Sequence, residues 1–128
     1  MRTISKPARR IPLATATAIL MAAVAAVPAD AHTTVSGTYP QAGRSVSPSA
    51  SLVSVTFSGP IRRGTLRVTG PGGRLWSSGS GGRDPRNIRR LVARLRGGKP
   101  AGSYRATWSI TAADGHRQRG SFSFRVRR

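Results

Sequence analysis

Every second residue from Tyr104 to Ala112 is apolar or aromatic: Tyr104, Ala106, Trp108, Ile110 and Ala112, with Arg105, Thr107, Ser109 and Thr111 between them. A period of two belongs to a β-strand with one dry face and one wet face, and a helix cannot gather that set on one side. The pattern recurs in LVSVTFS (52–58), where Val53, Val55 and Phe57 oppose Ser54 and Thr56. It recurs again near the end, where Phe122, Phe124 and Val126 oppose Ser123, Arg125 and Arg127, and more briefly at Leu66 and Val68. Turn residues punctuate the intervals at Gly59-Pro60, Gly70-Pro71-Gly72-Gly73, Gly97-Gly98 and Pro100-Ala101-Gly102. Short alternating strands at regular spacing predict an all-β fold, an antiparallel β-sandwich.

Two segments break the pattern. SSGSGGRDPRN (77–87) has too little apolar content for a core element and is expected to be a mobile loop. In NIRRLVARL (87–95), Ile88, Leu91, Val92 and Leu95 fall at i, i+3, i+4 and i+7, which taken alone is a helical stripe.

The start of the chain has a different character. Arg2, Lys6, Arg9 and Arg10 precede an apolar run over 11–27, and Ala29-Asp30-Ala31 ends it with small residues. Basic start, apolar middle and Ala-x-Ala close are the parts of a secretory signal peptide, so 1–31 is expected to be removed. The run is shorter than the roughly 20 apolar residues that span a bilayer. Pro12 disturbs the positions after the twin arginine, which favours general secretion. The remainder, 32–128, is 97 residues long and supports one domain with one modest core. The expected location is the periplasm or extracytoplasmic space. With no cysteine in the chain, neither disulfides nor thiolate chemistry contributes.

Within 32–128 there are 18 basic residues against two acids, Asp84 and Asp114, a formal charge of +16. A field of that sign attracts anionic polymers or lipid headgroups without specificity. Arg89, Arg90, Arg94 and Arg96 are the densest cluster along the chain, and Arg117 and Arg119 follow the second histidine. No nucleic-acid motif with interleaved aromatic residues accompanies them, and nucleic acid is not expected as a partner. No Gly-rich phosphate loop and no nucleophile elbow around any serine is present, so no catalytic or organic-cofactor site is expected.

Chemistry concentrates at the two histidines. Removal of 1–31 would make His32 the first residue, with a free α-amine beside its imidazole. Amine and Nδ1 then close a six-membered chelate ring on one metal ion. The second histidine lies in ITAADGHRQRG (110–120). Asp114 and His116, two apart, point to the same side in extended backbone, and Gly115 lets the chain turn between them. His116 supplies a third nitrogen, and Asp114 or water fills a further position. A tetragonal nitrogen/oxygen set suits Cu(II), which stands highest in the divalent affinity order, whereas zinc prefers tetrahedral surroundings. Both methionines, Met1 and Met21, fall in the expected leader, so no thioether site for Cu(I) remains. The α-amine must lose its proton to bind, so affinity is expected to fall on acidification. The bland alternative is two ordinary surface histidines.

The segments HTTVSGTYPQAG, VSVTFSGPI, LRVTGPGG, PAGSYRATWSITAADGH and GSFSFRV, in that order, resemble the CopC family of exported copper-binding proteins over essentially all of 32–128. The resemblance implies an immunoglobulin-like Greek-key β-sandwich, with copper ligands at His32, Asp114 and His116. It also implies a strand at 88–95 in place of the helix. Sequestering or carrying copper for homeostasis or resistance, with delivery to a CopD-type membrane importer, is the activity it implies; catalysis is not required. Two other readings compete. One is a copper monooxygenase, for which 97 residues leave little substrate-binding surface. The other is a basic β-sandwich that binds anionic polymers or lipid headgroups through its arginines.

Overall fold

The computed structural model describes Ala8 and residues 32–128; the expected signal peptide lies outside the described residues apart from Ala8. Among the described residues, eight strands form two four-stranded sheets. The first sheet has the order β1 (Val35–Tyr39), β3 (Leu52–Phe57), β6 (Asn87–Leu95), β5 (Ser77–Asp84), antiparallel throughout. The second has the order β2 (Ser45–Val46), β8 (Arg117–Val126), β7 (Gly102–Ala112), β4 (Ile61–Thr69), with only the β2–β8 pair parallel. The chain changes sheet after β1, β2, β3, β4 and β6, so the sandwich is stitched by crossings between layers.

The alternating ladders become the core. Val53, Val55 and Phe57 from one sheet meet Leu66, Val68, Tyr104, Ala106, Ile110, Phe124 and Val126 from the other, all nearly or fully buried. Each large side chain removed from water in this way contributes about 1.5–3 kcal/mol. The Tyr104 hydroxyl donates to the Pro100 carbonyl at 2.6 Å, which satisfies its polar end inside the sandwich. Burial pushes the phenol pKa above its ordinary value.

Both exceptional segments are strands. β6 buries Leu91, Ala93 and Leu95 on one face, while Val92 is half-buried on the other and Ile88 is exposed. The apparent helical stripe therefore mixed residues from two faces of a sheet. The expected loop at 77–87 is corrected too: Ser77–Asp84 is β5, paired with β6. Two of its small residues, Ser77 and Gly81, serve close approach. Ser77 is fully buried, and its Oγ accepts from the Val68 amide at 3.0 Å, which links β5 to β4 across the layers. A Cβ at Gly81 would lie 2.8 Å from the Val92 carbonyl and 2.9 Å from that of Leu66, and Gly81 has a φ of +62°. Glycine is needed there because backbone occupies the space of a side chain. The short β1 and β2, which carry no clear alternation, complete the sheet edges.

Candidate copper site

The second histidine sits on the β7–β8 hairpin. The Ala112 amide donates to the His116 carbonyl at 2.8 Å, and the Gly115 amide donates to the Ala112 carbonyl at 2.9 Å. This is a three-residue loop whose last residue, Gly115, has a φ of +91°. Such loops place a left-handed residue where the strand resumes, so glycine between Asp114 and His116 is a geometric requirement.

Asp114 folds back onto its neighbour. Its Oδ1 accepts the His116 amide at 3.0 Å, and its Oδ2 lies 2.8 Å from His116 Nδ1. The Asp114 carboxyl is held below its ordinary pKa first by the imidazole contact and then by the His116 amide. An ionised carboxylate only accepts, so Nδ1 carries a proton and Nε2 is the ring nitrogen left on the side away from Asp114. Asp114 thereby fixes both the tautomer and the orientation of the imidazole.

His32 is brought to the same end of the sandwich by a different part of the chain. The Thr34 amide donates to Ser58 Oγ at 2.9 Å, and the Ser58 amide donates back to the Thr34 carbonyl at 2.8 Å. Two residues further on, the Pro60 carbonyl accepts the Ala113 amide at 3.1 Å. The β3–β4 turn, Ser58-Gly59-Pro60, thus holds both histidine-bearing segments. Beneath it, the Phe57 and Trp108 rings meet edge to face with centroids 5.0 Å apart. In the sequence Ser58 reads as the end of a strand and Pro60 as part of a turn; their tethering role depends on partners 24 and 53 residues away.

The His32 and His116 ring centroids lie 6.4 Å apart at an interplanar angle of 65°. With metal–nitrogen bonds of about 2.0–2.1 Å, two imidazoles facing each other across one ion have centroids roughly 6 Å apart. The spacing suits two rings on a single ion. Among the described residues no group of three His, Cys, Asp or Glu side chains is assembled as a metal cluster. The structure therefore brings His32 near His116 and Asp114 onto His116, without gathering all three side chains around one point. Asp114 and His116 are both well exposed, so the hairpin is open to solvent.

Comparison with known proteins supplies the family. Residues 35–127 match the CopC domain, a span that begins three residues after His32. Protein YobA of Escherichia coli K12 is 25% identical over 99 residues, covering 76% of this chain and 80% of YobA. In fold, the chain is similar to CopC from Methylosinus trichosporium OB3b, with a TM-score of 0.63 and 23% identity over 74% of this chain and 93% of that one. It is likewise similar to PcoC, a methionine-rich copper resistance protein from Escherichia coli, with a TM-score of 0.61 and 23% identity over 76% of this chain and all of that one.

Proposed function

The chain belongs to the CopC family, and on that premise we propose that residues 32–128 form a periplasmic, non-catalytic carrier for one Cu(II) ion. In this reading 1–31 is a signal peptide whose removal frees the His32 α-amine. Copper is held by that amine and the His32 imidazole, by His116 and by Asp114. The observation that supports it is the 6.4 Å separation of two imidazoles delivered by distant segments onto one turn. With Nδ1 of His116 facing Asp114, Nε2 is the nitrogen through which His116 ligates. Asp114 orients the ring from its Nδ1 side, which faces away from Nε2, so to lend a carboxylate oxygen to the nitrogen-rich tetragonal set suited to Cu(II) it releases Nδ1 as the ion binds.

The domain sequesters the ion and hands it to a separate membrane importer of the CopD type. Residues 32–128 contain no methionine, so reduction to Cu(I) weakens binding and favours release. The decisive experiment determines the amino-terminal residue of the exported protein and titrates it with Cu(II), beside a version carrying one extra residue before His32. The mature form is expected to bind far more tightly. Equal binding by the two versions would remove the amine from the site and sink the assignment.

A further inference from the structure

The outward face of the β4–β7–β8 layer carries a second kind of chemistry. Strand pairing sets Arg63 beside Thr111 and Thr111 beside Arg117; the next row aligns Thr65, Ser109 and Arg119, and the third aligns Arg67, Thr107 and Ser121. Two adjoining depressions lie on these rows. One, of about 300 Å³, is lined by Arg63, Thr65, Ser109, Thr111 and Arg117 together with Gly64 and Ile110. The other, of about 290 Å³, is lined by Arg67, Thr107, Trp108 and Arg119 and shares Thr65 and Ser109 with the first.

Each depression has the same plan: an arginine from β4 on one wall, an arginine from β8 on the other, and hydroxyls of β7 on the floor. Strands about 4.8 Å apart put Arg63 and Arg117, which share a row, roughly 10 Å apart at the backbone, and Arg67 and Arg119, one row out of step, roughly 12 Å apart, each pair within reach of one small ion between them. None of Arg63, Arg67, Arg117 and Arg119 makes a hydrogen bond or ion pair with another side chain among the described residues. Other arginines on this face are already engaged: Arg105 donates to Ser121 Oγ at 2.8 Å and Arg125 to Ser103 Oγ at 3.2 Å. The two acids of 32–128 are committed elsewhere, Asp84 to Arg90 and Asp114 to His116.

We propose that these depressions are a tandem pair of phosphoryl-binding sites on the outer face of the β4–β7–β8 layer. A guanidinium fork saturates a planar carboxylate from one side. Two opposed forks above a floor of hydroxyl donors instead suit a tetrahedral oxyanion, which offers oxygens in several directions. The first depression is centred on one row and the second between the next two, so neighbouring phosphoryl groups roughly 10 Å apart can be held together. Free phosphate and the phosphodiester of an anionic lipid headgroup share this chemistry. The site does not depend on the copper reading.

The test compares R63Q/R117Q with R105Q/R125Q, which removes the same charge from the same face outside both depressions. Inorganic phosphate is titrated by calorimetry, and co-sedimentation is measured with vesicles of phosphatidylcholine with and without phosphatidylglycerol. Binding to at least one probe is expected to be saturable, to weaken about tenfold or more in R63Q/R117Q, and to change less than about twofold in the control. Phosphate that binds and displaces the vesicles identifies a free-ion site; binding only to phosphatidylglycerol vesicles identifies the headgroup. Equal weakening in both variants, or no saturation with either probe, overturns the proposal. Cu(II) titration of R63Q/R117Q is expected to match the parent, which separates failure here from failure at the histidines.

Discussion

The two aspartates of the domain stand in closely similar turns and come to different ends. Asp84 closes the β5–β6 hairpin, with Oδ1 accepting the Arg86 amide at 2.9 Å and Oδ2 accepting Arg90 Nη2 at 2.6 Å and Nε at 2.9 Å. Asp114 closes the β7–β8 hairpin with Oδ1 on the His116 amide and Oδ2 on the His116 ring. In both, one oxygen takes the amide two residues on and the other takes a cationic or imidazole nitrogen. The first partner is a guanidinium that stays protonated and has donors only, so the pair is a permanent clasp. Histidine, the second partner, keeps another ring nitrogen that can donate electrons to a metal. Burial follows the same division: the Asp84 side chain is 11% exposed, whereas that of Asp114 is 46% exposed. A shared turn can thus serve as a staple or as a ligand mount, depending on the residue that answers the carboxylate.

The strongest way to break that contrast is to give the second hairpin the first one's partner. His116→Arg retains a donor for Asp114, so the thermal midpoint is expected to stay in place while Cu(II) affinity falls more than about 100-fold, beyond the range for losing a merely supporting group. Retained copper binding in a calorimetric titration would show that the imidazole is not a ligand. Next in size is Asp114→Asn, expected to weaken Cu(II) binding by about 10–100-fold as ring orientation and the carboxylate oxygen are lost. The same change at the other hairpin, Asp84→Asn, is expected to leave copper affinity unaltered and to lower the thermal midpoint by a few degrees, read by circular dichroism. A copper effect from Asp84→Asn equal to that of Asp114→Asn would erase the distinction.

The smallest effect is in acid. Asp84 is held below its ordinary pKa of 3.8, chiefly by the Arg86 amide and then by the Arg90 side chain. A carboxyl with a depressed folded pKa stabilises the fold above its unfolded value, and that contribution disappears as pH falls through the folded one. Denaturant midpoints measured from pH 5 down to 2 should therefore decline more steeply in the parent than in Asp84→Asn. Parallel curves would mean that the clasp carries no proton-linked stability.

Legibility in the sequence followed how many faces of a strand are wet. β3, β7 and β8 have a mainly dry face and a mainly polar face, so their alternation announced them. β6 is central in its sheet, and Val92 on its outer side sits between Ser54 of β3 and Gly82 of β5, which gives both faces some apolar character. That dissolved the period of two and produced a false helical stripe. β5 was hidden for the opposite reason: it buries only Ser77 and Asp84 at its ends, Gly81 packs against neighbouring backbone, and its remaining glycines and serines have no apolar face to show, which in one dimension looks like a loop. The densest arginine run divided as well. Arg90 is bound to Asp84, and Arg89 Nη1 donates to the Ser58 carbonyl at 3.3 Å. The face with two opposed-arginine depressions is instead assembled from three strands that no linear window joins.

The order of residues alone determined the all-β class, the scarcity of acid, the absence of sulfur ligands from 32–128 and the Asp-Gly-His turn. All of these are properties of local spacing and composition. Only the folded chain decided that the Ser58–Pro60 turn would hold two segments about 80 residues apart in sequence, bringing the His32 and His116 rings to 6.4 Å. Only folding, too, aimed Nδ1 of His116 at Asp114 and aligned Arg63 with Arg117. Such contacts depend on sheet register and on crossings between layers, which are set by the packing of the whole core and not by any residue's neighbours along the chain.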